Sequence, residues 1–97
     1  MEFLVKSIES KSEYYHNKYY PAMIGRECDI VHLVPGCVGR LVVDMAYDPG
    51  NPHRFVTTMV IDVDCLDDGT IVFETENSVY TLVPNKKGNE NENLRED

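Results

Sequence analysis

The stretch Phe55–Val83 leaves this chain few folds to choose from. It reads FVTTMVIDVDCL, DDG, TIVFETE, NS, VYTLV, which is three runs rich in β-branched and aromatic residues separated by turn formers. In Asp67-Asp68-Gly69 the glycine supplies the positive φ that a tight hairpin needs, and Asn77-Ser78 makes a second, weaker turn. Strands joined this closely pair antiparallel, because parallel neighbours need a long crossover. Alternation along the first run predicts Phe55, Thr57, Met59, Ile61, Val63 and Cys65 on the core face, and Val56, Thr58, Val60, Asp62 and Asp64 on the other. In the second run Ile71, Phe73 and Thr75 oppose Val72, Glu74 and Glu76. In the third, Tyr80 and Leu82 oppose Val79, Thr81 and Val83 before Pro84 ends the strand.

Upstream, Phe3, Val5 and Ile8 predict a first strand. The next segment, SKSEYYHNKYYP, has no strand alternation. It predicts a loop, or a short helix capped by Ser10 or Ser12, with Tyr15 and Tyr19 at i, i+4 and Pro21 as its stop. Glu27–Val34 alternates, with Cys28, Ile30, His32 and Val34 on one face, and Pro35-Gly36 turns the chain. Val38–Tyr47 predicts a longer strand with Leu41, Val43, Met45 and Tyr47 on one face and a bulge or bend at Gly39. Five to six short antiparallel strands make the chain all-β. So small a sheet has to curl to protect its edges, which predicts a small, partly open barrel, SH3-like, with an OB-type barrel as the alternative. The barrel is expected to span 1–84. Residues 85–97 form a polar tail repetitive in Asn and Glu and are expected to be disordered.

The pairing of HRFVTTMVIDVDCLDDGTIVFETENSVYTLV with an upstream IGRECDIVHLVPGCVGRLVV resembles small β-barrel proteins of Gram-positive bacteria and their phages. Those commonly show a Thr-Thr or Thr-Ser pair before a strand and a Thr-x-Asn-Ser-x-Tyr ending. The matching residues are Thr57, Thr58, Thr75, Asn77, Ser78 and Tyr80, within residues 24–83. The resemblance implies the barrel fold and carries no activity with it.

No segment carries a reaction signature. Asp62, Asp64, Asp67 and Asp68 invite a calcium reading, but the spacing places Asp67 where the EF-hand loop needs Gly and Phe73 where it needs Glu. A solvated acidic hairpin tip is the expectation. Cys28 and His32 sit about 13 Å apart along one strand face and cannot share a zinc ion. His53, Cys65 and the aspartates have no spacing that gathers them into a nucleophilic site. There is no phosphate loop or dinucleotide fingerprint. No enzyme, metal or cofactor is expected.

Charge supplies the remaining constraint. The formal net charge is −8, and residues 26–83 hold ten acids against Arg26, Arg40 and Arg54. Such a field repels nucleic acid and anionic membranes and attracts basic protein surfaces. The N-terminus lacks signal-peptide character, no apolar run is long enough to span a bilayer, and three cysteines without CxxC spacing fit reduced thiols in a cytoplasm. The expected function is a non-enzymatic protein-interaction module. Its contact residues are expected to be Tyr14, Tyr15, Tyr19 and Tyr20, together with Asp62, Asp64, Asp67, Asp68, Glu74 and Glu76. The phage resemblance sharpens this to an inhibitor, anti-CRISPR-like or otherwise anti-defence, whose carboxylates stand in for phosphates on a basic nucleic-acid-binding partner. The alternatives are a single-stranded nucleic-acid-binding barrel that stacks bases on the tyrosines, and a self-associating structural subunit.

Overall fold

The computed structural model describes residues 1–86. Six strands follow one another: β1 Phe3–Ser10, β2 Glu27–His32, β3 Val38–Val43, β4 His53–Cys65, β5 Ile71–Thr75 and β6 Ser78–Pro84. Each pairs antiparallel with the next, and β6 returns to β1, so the sheet closes into a barrel. Closure between β1 and β2 rests on two paired positions, Phe3 with Cys28 and Leu4 with Glu27. The three runs from Phe55 onward are β4, β5 and β6, and the turn glycine Gly69 has φ +89°. The expected tail lies almost wholly outside the described residues. Asn85, its first residue, is buried, and its backbone N–H donates to the Glu2 carbonyl.

The interior is filled by Val5, Leu41, Val43, Phe55, Val60, Phe73, Tyr80 and Leu82 from the strands, with Cys28, Met45 and two residues of the lid, Tyr20 and Met23. That lid is the tyrosine-rich segment. Its helix, α1, is a single turn, Tyr20–Met23, and Pro21 lies in that first turn. The expectation that Pro21 stops a preceding helix is therefore corrected: its missing N–H costs nothing at a helix start. The Tyr20 hydroxyl lies 2.9 Å from both Ser78 Oγ and the Tyr80 hydroxyl. Thr75 Oγ1 accepts the Ser78 N–H at 3.1 Å and the Asn77 N–H at 3.3 Å, knitting the β5–β6 turn. Thr75, Ser78 and Tyr80 thus act as the buried hydroxyl frame on which the lid is hung.

Three expectations about faces are corrected. On β4, Met59 and Ile61 are 45% and 50% exposed, whereas Val60, placed on the outer face by simple alternation, is 1% exposed. The cause is the path of β4. It pairs with β3 as far as Met59 and with β5 from Val60 to Cys65, and the register shifts in both ladders, opposite Val38/Arg40 and between Val60 and Asp62. Each bulge reverses the alternation, so the core-facing residues run Phe55, Thr57, Val60, Val63. On β2 a bulge between Ile30 and His32 does the same, and His32 and Val34 are exposed. β3 ends at Val43, and Tyr47, beyond it, is exposed.

Gly39 of β3, which faces the first of the β4 bulges, sets a prediction. A Cβ there would stand 2.7 Å from Thr57 Oγ1 and 3.3 Å from Thr57 Cγ2. Thr57 has no room to yield, because its Oγ1 accepts the Gly39 N–H at 2.9 Å and donates to the Thr58 carbonyl at 2.7 Å. Gly39→Ala is expected to destabilise the barrel by about 1–3 kcal/mol. Urea unfolding checks this, and a neutral result would show that the two strands part easily at the bulge.

Candidate functional site

The expected contact residues fall into two sets that the fold treats differently. Of the tyrosines, Tyr20 is buried and Tyr15 is half-buried against it, with ring centroids 6.3 Å apart. Tyr14 is 85% exposed and Tyr19 is 40% exposed, with Lys18 Nζ 5.2 Å from the Tyr19 ring centre. Two tyrosines close the barrel and two face outward.

The six acids lie together on the β4–β5 hairpin and its turns. Residues 60–77 contain all of them and no Lys, Arg or His. Asp62 stands directly opposite Glu74 in the ladder, and Asp64 opposite Val72. Val63 and its partner Phe73 take the inward side, so Asp62, Asp64 and Glu74 project outward. Asp67 and Asp68 form the turn. The Asp68 carboxylate accepts the Thr70 N–H at 2.9 Å, which holds its pKa below the ordinary value. Glu76 follows β5, and its N–H donates to the Met59 carbonyl at 3.0 Å. Among the described residues only Glu74 of the six has an ion-pair partner, Lys11.

Like charges directly opposed across a ladder destabilise a sheet. Asp62 against Glu74 is such a pair, and Lys11 balances only one member. The bulges also place Met59 and Ile61 on the surface beside this acidic face. Alternation hid those two apolar residues from the sequence reading. The surface is therefore mixed, carboxylates beside the exposed apolar side chains of Met59 and Ile61.

Two clefts indent the barrel surface elsewhere. A groove of about 920 Å³ at one end of the barrel is lined by Leu4, Arg26, Glu27, Asp44, Asp68 and Asn85 among others. In its polar wall Arg26 donates from Nε to the Asp44 carbonyl and from Nη2 to Asp44 Oδ2, at 2.9 and 2.7 Å, and Lys6 and Lys86 also line it. A cleft of about 350 Å³ is lined by Tyr19, Tyr47, His53, Arg54 and Phe55 among others. Here His53 Nε2 lies 2.8 Å from Asp48 Oδ2, and the Tyr47 ring sits 5.5 Å from the imidazole. Sequence reasoning missed this Asp–His pair, for which the five-residue spacing across DPGNP was the available signal. Among the described residues no hydroxyl or thiol is hydrogen-bonded to His53, and Cys65 lies at the opposite end of the same strand. The pair orders the loop, with Asn51 donating to Asp48 Oδ1 at 3.0 Å. Among the described residues no group of three or more His, Cys, Asp or Glu is arranged to hold a metal ion. Nor, among them, is any helix long and apolar enough to cross a membrane.

The cysteines divide cleanly. Cys28 is fully buried, and burial, then the nearby Asp29 carboxylate, pushes its thiol up to about 12. Cys37 and Cys65 are exposed. Since the thiolate is the reactive species, iodoacetamide should label two of the three cysteines in the folded protein and Cys28 only after denaturation. Intact-mass analysis checks this, and rapid triple labelling under native conditions would mean that β2 opens readily.

Comparison with protein-family models, curated proteins and solved structures finds no match to this chain.

Proposed function

We propose that the protein is a non-enzymatic interaction module whose β4–β5 hairpin presents a carboxylate surface to a basic patch on a partner protein. The observation that carries the proposal is the Asp62–Glu74 opposition within an 18-residue stretch, 60–77, that holds no basic side chain. The fold gains nothing from setting Asp62 against Glu74, of which Lys11 balances only one member. A partner rich in Lys and Arg gains from it in both encounter rate and register. The favoured partner class is a nucleic-acid-handling protein whose basic groove the carboxylates occupy in place of phosphates, as an anti-defence inhibitor of phage or mobile-element origin would do. The nucleic-acid-binding alternative is weakened by the lid, which withdraws Tyr15 and Tyr20 from any stacking platform.

The test is a pull-down from bacterial lysate with the wild type and with Asp62→Lys/Asp64→Lys, each with and without competing DNA. Retention of a basic protein that DNA displaces, lost on charge reversal, is the expected result. Equal retention by the reversed protein would end the reading. The reversal should not harm the fold, because Asp62→Lys replaces a like-charge pair with an attractive one and should raise stability by about 0.2–1 kcal/mol.

A further inference from the structure

The far end of β4 has only one neighbour. From His53 to Met59 the strand is flanked by β3, and the turn before β3 follows it one residue further: Gly36 N–H donates to the Val60 carbonyl, and Val60 N–H to the Cys37 carbonyl. Beyond Val60, β4 pairs with β5 alone, through Cys65. Which backbone groups face away from β5 follows from the ladder. The Leu66 N–H donates to the Thr70 carbonyl, so Leu66 and Thr70 form a hydrogen-bonded position. Antiparallel ladders alternate, so Asp64 and Asp62 bond to β5, and Val63 and Cys65 turn their N–H and C=O groups to the open side. Ile61, Asp62, Asp64, Cys65 and Leu66 are exposed, so nothing covers this edge among the described residues.

An unpaired edge is a template for another strand, and proteins blunt one with charged side chains, lysine above all, with proline or with a bulge. This edge has no lysine or proline, and its bulge lies at its start, between Val60 and Asp62. Its charges are the carboxylates Asp62 and Asp64, which repel an acidic strand and leave the edge open to a basic one. The edge alternates Asp62 and Asp64 on one face with Val63 and Cys65 on the other. We infer that the Ile61–Leu66 edge of β4 accepts an extended segment of the partner by strand addition, the segment alternating Lys or Arg with apolar residues. The basic residues would stand beside Asp62 and Asp64 on the outer face, and the apolar ones beside Val63 on the inner. Main-chain bonds to Val63 and Cys65 supply affinity, and the aspartates select charge and register. A second copy of this chain is disfavoured as the occupant, because it would lay the same aspartates against each other. The inference rests on the acidic-surface reading and gives it a binding mode.

The experiment uses the 15N-labelled full chain and, as probe, a capped octapeptide of alternating lysine and valine. Two variants accompany it. Cys65→Pro deletes an outward N–H at an exposed position without altering charge or the β5 ladder. Asp62→Lys/Asp64→Lys reverses the charge and leaves the backbone intact. Strand addition predicts that the Val63 and Cys65 amides become protected from hydrogen exchange on peptide binding. It also predicts that Cys65→Pro weakens binding about fivefold, as loss of one main-chain hydrogen bond would, and that the charge reversal abolishes it. If Cys65→Pro binds as wild type does and the Val63 amide stays unprotected, while charge reversal still abolishes binding, strand addition is wrong and the acidic surface stands. Should Cys65→Pro fail to fold, Val63 protection in the wild type decides alone. No binding to wild type at millimolar peptide and low salt overturns the edge proposal, leaving the lysate experiment to judge the surface. A concentration-dependent dimer that Cys65→Pro abolishes would give the edge to a second copy and overturn the basic-segment assignment.

Discussion

Phe73→Ala is expected to lower the unfolding free energy by about 3–5 kcal/mol, the range for truncating a fully buried aromatic ring. Phe73 is fully buried at the centre of β5 and stands opposite Tyr80 in the ladder, their rings 4.5 Å apart and nearly parallel at 6°. The same Tyr80 ring meets Tyr20 of the lid edge-on at 5.7 Å. Removing Phe73 thus strips one face from the ring that holds the lid. The walls of the resulting cavity are β4 and β6, both tied to β5 by backbone ladders, so they have little freedom to collapse inward. A domain of this size has a total stability of about 5–15 kcal/mol, so the variant sits close to its unfolding threshold at room temperature. Urea titration followed by far-ultraviolet circular dichroism measures the loss. A loss below about 1 kcal/mol would mean that the Phe73–Tyr80–Tyr20 stack does not anchor the core.

How much of this was legible in the sequence depends on where alternation is unambiguous. Along β5 the glutamates mark the outer parity, along β6 the large Tyr80 and Leu82 share the other, and Phe73, Thr75, Tyr80 and Leu82 are buried as that pattern requires. In VTTMVID both parities are apolar, so the pattern cannot reveal where an extra residue enters the strand. The bulges that expose Met59 and Ile61 and bury Val60 come from β4 changing partners, a property of the closed barrel. Gly39 was legible as a bend because a glycine inside a strand announces one. The acids were legible as exposed. Their most informative feature, Asp62 facing Glu74, is a matter of register that composition does not contain. For the tyrosines, burial follows the hydroxyl partners: Tyr20 reaches Ser78 and Tyr80, some sixty residues away, and nothing local marks it apart from Tyr19.

The same hydroxyl frame makes the barrel alkali-labile, the second large effect. Burial raises the pKa of Tyr80 and of Tyr20 above the ordinary 10.0, and it pushes Cys28 from 9.0 to about 12. All three are acids that the fold holds in their neutral, protonated form. Above pH 9.0 for the thiol and 10.0 for the phenols, the unfolded chain releases protons that the folded chain retains. The unfolded state then binds fewer protons, so unfolding free energy falls as pH rises, by about 1.4 kcal/mol per pH unit for each group. By pH ~11 the thiol contributes a loss of about 2–3 kcal/mol, to which the buried phenols add in the same direction, a large share of the stability of so small a domain. Below pH 9.0 none of this loss operates. Circular dichroism against pH should therefore show a cooperative collapse above pH ~10. The tyrosinate absorbance of Tyr20 and Tyr80, isolated by difference from Tyr20→Phe and Tyr80→Phe, should rise only as the sheet signal is lost. Cys28→Ala removes the earliest of the three titrations and should shift the onset upward by about one pH unit. Phenolate absorbance from the buried pair with the sheet signal intact would show that the lid opens independently of the barrel, and the hydroxyl frame would then not be what couples them.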